Sequence, residues 1–394
     1  MRKILYIVQA ILLICTKSFG QADPIKESTY HFTIKNDLFI GSGADTLKSR
    51  IVNAQFFLIG EEHNMKELQD FTTSIIPYLT STYYKYFALE IGPVAADKLT
   101  SIHHKKASLN AFNTYYYPFL NGVPFGFFQG KEEEQFSNRA LEHGFQLWGL
   151  DFENYNSTLY ILNELYILSK KTPAISESYK KAYQFALAEY QKDRASKSYN
   201  LPANLLRSEA IKSFFDMVAA NKQARIIIAE QIASWKIYEQ ESKNNWYPRV
   251  ENMKTNFADH YKKAIAKNAL PKVFVKMGAV HMARGTSSSG FQEVGNLIYE
   301  LSQFNRTKTF SVISFARYRI DAQGKVTDLL DPEDADLLKY TNQESWSLID
   351  LSKLKRDSWS GKIKLSSGMQ SYIQKFDMML IPPATKPNTI NYNP

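Results

Sequence analysis

Two histidines close two apolar runs in the same way. Phe56-Phe57-Leu58-Ile59 stops on Gly60-Glu61-Glu62-His63, and Val273-Phe274-Val275-Lys276-Met277 stops on Gly278-Ala279-Val280-His281. Imidazole titrates near neutrality, so it can act as base, acid or metal ligand. Carboxylates close two further apolar runs, Glu90 in Tyr86–Ile91 and Asp151 after Phe145–Leu150. Two chemistries suit this set. In one, His63, Glu90 and His281 hold a divalent metal whose bound water attacks an ester, lactone or amide carbonyl. In the other, His63 is the general base on water, Glu90 or Glu61 orients it, and His281 or Arg249 stabilises the oxyanion. No Gly-x-Ser-x-Gly elbow occurs, and the one cysteine is Cys15, so a covalent nucleophile is not in view.

Plainer readings stand beside these. A solitary Gly-x-x-His is more often a structural turn histidine, and only the pair carries weight. Glu61 and Glu62 could complement a helix dipole. Asp151 divides evenly between turn residue and site member. Arg249 follows Pro248 at a helix start, with Met253 and Asn256 on its face; a solvated ion pair is the ordinary explanation. His103, His104 and His143 read as surface residues, and His31 and His260 have no companion signal.

The elements that must position these residues alternate. Residues 21–43 read as an extended or irregular lead-in, and 44–53 as a short helix before the first strand. After His63, Asn64 is the predicted N-cap, with Glu67 three residues on and Leu68, Phe71, Ile75 and Leu79 at helical spacing. The stretch 108–129, with Tyr115-Tyr116-Tyr117 and Phe125-Gly126-Phe127-Phe128, fits neither period and reads as an ordered loop, partly a pocket rim. Residues 131–143 read as a helix stopped by Gly144, and about 156–268 as a helical insertion of four or five helices punctuated by Pro173, Pro202 and Pro248. A Gly/Ser loop (285–290), a helix through Leu297 and Leu301, and a strand over 309–318 follow. Residues 321–374 read as polar and irregular, 376–381 as a last strand, and the tail from Pro382 as loose. The expected fold is α/β: a mainly parallel or mixed central sheet flanked by helices, in a single domain over 21–394. In such sheets ligands bind beyond the carboxyl ends of the strands, where His63, Glu90, Asp151 and His281 would all lie.

The chain has 394 residues, 44% hydrophobic and 14% aromatic, ample for a large core. Residues 1–20 read as an export signal, with Arg2-Lys3, an apolar run over 4–14 and small residues near Gly20. That run is too short to span a bilayer, and no later stretch is a transmembrane candidate. The expected location is periplasmic or extracellular, with lipid anchoring through Cys15 the lesser alternative because Ile14 is bulky. The formal charge of +9 falls to +6 without the first 20 residues, which carry Arg2, Lys3 and Lys17 and no acid. The excess is spread through mixed-sign runs, which argues against a nucleic-acid partner.

Gly60-Glu61-Glu62-His63, Glu90, Arg249-x-x-x-Met253, Gly278-Ala279-Val280-His281 and Phe376-Asp377-Met378-Met379-Leu380-Ile381 together resemble a superfamily. It joins the Tiki and TraB-type proteins, the ChaN-like haem-uptake lipoproteins and the erythromycin esterase-like hydrolases. The resemblance spans about residues 50–383, with the helical middle matched only in character. It implies a compact α/β fold with a cleft between sheet and helices, in which His63, Glu90 and His281 are the catalytic or metal-binding set and Arg249 supports them. The esterase-like members usually place one more residue between Gly-Glu and His, so the spacing here is nearer the Tiki and ChaN branches. The first branch implies metal-dependent peptide cleavage. The second implies haem binding without turnover, with a tyrosine from Tyr115 to Tyr117 as axial ligand. The primary expectation is an exported hydrolase acting on a small-molecule or peptide carbonyl. The alternative is a binding protein for haem or another small ligand.

Overall fold

A computed structural model of the protein describes residues 23–196 and 200–394; the signal-like segment and Cys15 lie outside the described residues. The strands in chain order are β1 (Thr29–Lys35), β2 (Leu38–Ile40), β3 (Phe56–Glu61), β4 (Tyr84–Leu89), β5 (Gln146–Gly149), β6 (Lys272–Gly278), β7 (Thr309–Ser314), β8 (Tyr318–Ile320), β9 (Val326–Asp328), β10 (Trp346–Asp350) and β11 (Met378–Ile381). Nine of them form one sheet in the order β2-β1-β10-β11-β7-β3-β6-β4-β5, and β8 and β9 pair separately. From β11 to β5 every pairing is parallel, whereas β2, β1 and β10 join antiparallel. The sheet is therefore mixed, with helices on both faces, as the alternating pattern requires.

Register is held by a row of phenylalanines. Phe87, Phe274, Phe57 and Phe310 lie opposite one another on β4, β6, β3 and β7, with ring centroids 4.5, 5.1 and 5.4 Å apart in that order. Such cross-strand aromatic pairs add about 1 kcal/mol each beyond area burial. A slip of one residue would send each ring to the opposite face, where a second apolar cluster already sits, so the row pins four strand ends level. β3 is buried along its whole length, which is why it reads as an unbroken apolar run.

Several expectations need correction. Residues 24–40 hold a one-turn helix, Pro24–Glu27, and the β1–β2 hairpin. Leu109–Leu120 is a helix capped by Ser108 and ended by Asn121 in the left-handed region at φ 50°. Its buried residues Leu109, Asn113, Tyr116 and Leu120 do follow helical spacing, but the exposed Tyr115 and the partly buried Phe112, Tyr117 and Phe119 between them mask it. The helical middle comprises six helices among the described residues: Thr158–Leu168, Pro173–Ala195, Leu201–Arg207, Glu209–Val218, Lys222–Glu241 and Tyr247–Ile265. β10, inside the stretch read as irregular, is fully buried between β1 and β11. The tail is tied down: Lys66 N–H donates to Lys386 O, Lys131 N–H to Thr389 O and Asn391 N–H to Gln129 O, at 2.8–2.9 Å. No helix among the described residues is long and apolar enough to cross a membrane.

A candidate active site at four parallel strand ends

Adjacent strands β3, β6, β4 and β5 end at one edge of the sheet, and the residues just beyond them meet there. Glu61 lies opposite Gly278, and Leu89 lies opposite both Lys276 and Gly149. Past β3 the chain turns on Asn64, whose φ of 70° asparagine tolerates better than most residues. The following helix, Lys66–Ser81, has Met65 at its N-cap, so Asn64 makes the turn and does not cap. Past β6, Gly278 opens the one-turn helix Ala279–Met282, which carries His281. A Cβ on Gly278 would lie 3.0 Å from His63 Nε2 and 3.3 Å from Glu90 Oε2, so glycine is what lets the histidine and carboxylate close in.

Glu90 is the hub. Its Oε2 accepts the Gly278 N–H at 2.5 Å and lies 3.6 Å from His63 Nε2; its Oε1 accepts from Arg249 at 3.1 Å and lies 3.4 Å from His281 Nε2. Burial opposes its charge, yet the His281 hydrogen bond and the surrounding cations hold the carboxyl down at about 2. Arg249 is brought in by the helix Tyr247–Ile265, begun at Pro248 and fastened seven residues later by Asn256, which donates to Leu150 O at 3.0 Å. The guanidinium grips Asp151 through two bonds of 2.6 and 3.2 Å and lies over the Phe152 ring. It is a largely buried bridge between two carboxylates and not the solvated ion pair of the ordinary reading. Burial pushes the Asp151 carboxyl up, with Arg249 opposing it.

The two histidines are held differently. His63 Nδ1 meets Glu61 Oε1 at 3.2 Å, its ring stacks on Phe127 with centroids 4.1 Å apart, and its side chain is 35% exposed. Glu61 is clamped by Lys276 Nζ at 2.6 Å and by Gln69 at 3.2 Å; burial raises its pKa, but Lys276 and His63 outweigh this and hold it low. His63 is shifted upward: burial disfavours the imidazolium, and the Glu61 bond and Glu90 charge overcome it. His281 Nδ1 meets Glu293 Oε2 at 3.0 Å, and Ser289 in turn donates to Glu293 at 2.7 Å. Burial works against the His281 charge too, but Glu293 and Glu90 raise it to about 9.

This shift carries a stability prediction. His281 contributes its full share below pH 6.5, the ordinary histidine value, and the share is lost as pH rises through about 9. The ceiling is roughly 3 kcal/mol, and the Glu90 shift contains the same pair, so the two are not summed. Melting temperature should fall between pH 6.5 and 9.5 in the wild type and fall less in His281→Gln.

Of the residues singled out by sequence, His63, Glu61, Glu90, Asp151, Arg249 and His281 are all brought together. Glu62 is not: it pairs with Arg319 and accepts the Ala316 N–H, and neither glutamate acts as a helix cap. His260 stacks on Trp148 and burial lowers it to about 4, while His31 lies beside Asn342 and Ser347. Tyr115 is exposed, the Tyr116 hydroxyl accepts from Asn163, and Tyr117 stacks on Tyr392; none of the three lines the cavity beside His63. Lys276, Glu293 and Gln69 were missed, while Phe127 lies in the stretch read as partly a pocket rim and does line the cavity. A lysine inside the apolar run of β6 was the one available signal, since a buried lysine needs an anionic partner.

The donor set does not suit a metal as arranged. Both Glu90 oxygens accept N–H donors, from Gly278 and from Arg249, and the carboxylate would have to exchange those bonds to ligate a metal. Among the described residues, no group of three or more His, Cys, Asp or Glu is placed to hold an ion. A cavity of about 110 Å³ opens beside His63, walled by Leu89, Phe127, Phe128, Phe136, Gln69 and Glu133 among others.

No protein-family model matches the chain, and no curated protein matches it. Three solved structures are similar over nearly its whole length. A Bacillus cereus protein has a TM-score of 0.53 at 14% identity, covering 94% of this chain and 99% of that one. A succinoglycan biosynthesis protein has 0.56 at 16%, covering 94% and 99%. An erythromycin esterase mutant in its open conformation has 0.53 at 12%, covering 91% and 98%. At such identities the likeness is one of architecture: this chain shares the α/β fold of those three proteins.

Proposed function

We propose that the protein hydrolyses an ester, lactone or peptide carbonyl, with His63 as general base. The observation that carries this reading is the asymmetry of His63: Nδ1 is held by Glu61, while Nε2 stands 3.6 Å from its nearest carboxylate oxygen at the mouth of a cavity. Glu61 fixes the ring, and Lys276 keeps Glu61 ionised. Nε2 takes a proton from water as the water oxygen bonds to the carbonyl carbon. Positive charge on Arg249 and His281 favours the resulting alkoxide. Collapse breaks the bond to the leaving oxygen or nitrogen, which takes the proton back from His63 and leaves acid plus alcohol or amine. The fold shared with an erythromycin esterase supports a carbonyl substrate, and the site needs no group beyond those on the chain.

The test is a panel of p-nitrophenyl acetate, a macrolide lactone and a short peptide, assayed with and without chelator alongside elemental analysis of the purified protein. Turnover indifferent to chelator supports the reading; chelator-sensitive turnover with a copurified transition metal would replace it. A Soret band on haem titration, without turnover, would favour the binding alternative. The pH profile gives a second check. His63 must be neutral to act, and its pKa is raised, so kcat/KM should climb with pH to a midpoint above 6.5. Glu61→Gln should move that midpoint down; an unchanged midpoint would remove Glu61 from the role.

A further inference from the structure

Phe127 has a φ of 58°, in the left-handed region that a bulky side chain disfavours. Among the described residues, the one other aromatic with a positive φ is Tyr83, which directly follows the C-cap of the helix Lys66–Ser81 and is 78% exposed. Helix ends adopt that conformation routinely. Phe127 lies in a loop instead, and the chain is fastened on both sides of it. Before it, the Phe125 ring is fully buried and stacks on Phe112 with centroids 5.0 Å apart. After it, Phe128 is buried and its O accepts from Asn113 at 3.1 Å, while Gln129 O accepts the Asn391 N–H at 2.8 Å. Between these anchors the Phe127 side chain emerges, 37% exposed, and its ring lies on His63 with the two planes 20° apart. A residue held in a disfavoured conformation by well-packed neighbours is a candidate for function.

His63 needs a second restraint. Its hydrogen bond to Glu61 fixes one ring atom and leaves the plane free to turn about it. Nε2 is 3.6 Å from Glu90, too far for a second hydrogen bond, and part of the side chain is open to solvent. A stacked ring supplies what is missing, because it sets the plane. Glu61, clamped by Lys276, is ionised and can only accept, so Nδ1 carries the proton of the neutral imidazole and Nε2 keeps its lone pair. Taking His63 as the base of the reaction above, we propose that Phe127 is its positioning residue. The phenyl ring holds the imidazole in the plane that keeps Nδ1 on Glu61 and leaves Nε2 at the cavity. A misplacement of about 1 Å at a reacting atom can cost about 10²-fold in rate.

Substitutions of Phe127 in the full protein separate the ring from the backbone. Phe127→Gly removes both the ring and the disfavoured φ, Phe127→Leu removes the ring alone, and Phe127→Tyr keeps it. On p-nitrophenyl acetate, Phe127→Gly and Phe127→Leu should each lose about tenfold or more in kcat with KM within about twofold, and Phe127→Tyr should retain most of the rate. The nitrogen-15 shifts of the His63 ring, read by NMR on the alkaline side of its titration, give a measure that needs no turnover. The wild type and Phe127→Tyr should show the form protonated at Nδ1, and Phe127→Gly and Phe127→Leu a mixture of the two neutral forms. A loss confined to KM, a Phe127→Tyr as slow as Phe127→Leu, or ring shifts that are the same in all of them would each overturn the role and leave Phe127 as a wall of the cavity. Should Phe127→Leu fail to fold, Phe127→Gly and Phe127→Tyr carry the comparison. If the wild type turns over no carbonyl probe, the hydrolase reading falls, and the ring shifts alone decide what Phe127 does.

Discussion

Replacing His63 by alanine should lower kcat on any carbonyl probe the wild type turns over by about 10²–10⁴-fold, the range general-base catalysis supplies. Melting temperature should fall by only a few degrees. The ring is partly exposed and stacks on Phe127, a contact worth about 1 kcal/mol. Removing it leaves no buried charge alone, because Glu61 keeps Lys276 and Gln69. Activity and stability are therefore expected to separate. If they fall together, His63 is a structural turn residue and the proposed chemistry goes with it.

Glu90→Ala should behave in the opposite way. The carboxylate is the acceptor for the Gly278 N–H, Arg249 and His281 at once, and Arg249 would be left with Asp151 alone. Breaking a buried ionic cluster from one side costs about 3–5 kcal/mol, since the remaining charges stay desolvated. Stability and activity should both drop, and chemical denaturation should show a lower midpoint at unchanged slope. Glu90→Gln, which keeps an acceptor oxygen, should recover part of the stability. Glu90→Ala with Arg249→Ala should cost less than the sum of the two, because the pair acts as a unit. Additive losses would mean that Glu90 does not organise the site.

Much of the site was legible before any coordinates. Gly60-to-His63 and Gly278-to-His281 mark the ends of β3 and β6, because in each a β-rich run gives way at a glycine, a residue with little strand preference. The ends of β4 and β5 were visible too, at Glu90 and Asp151. Less legible were elements whose signals are short or masked. β10 is five residues between polar neighbours, and it is a strand because β1 and β11 bond to both its edges. The helix Leu109–Leu120 carries an exposed Tyr115 and partly buried Phe112, Tyr117 and Phe119 between its buried positions, which hides its period. The tail was read as loose because its sequence is polar, but those polar groups are what bind it: Thr389 accepts the Lys131 N–H and donates to Glu132, and Asn391 donates to Glu134.

By itself, then, the sequence determined the α/β class, the strand ends, and the residue types waiting at them, because periodicity and chain-breaking residues act over a few positions. Only the tertiary structure decided that Glu90 stands between the two histidines, that Arg249 bridges it to Asp151, and that Glu61 is answered by a lysine 215 residues away. The physical reason is strand order. Placing β6 between β3 and β4 brings their ends within hydrogen-bonding distance, and that order follows from packing the whole sheet between two apolar layers, which no local pattern records. His63 thus came from the sequence as a candidate, and its held and open nitrogens came from the fold.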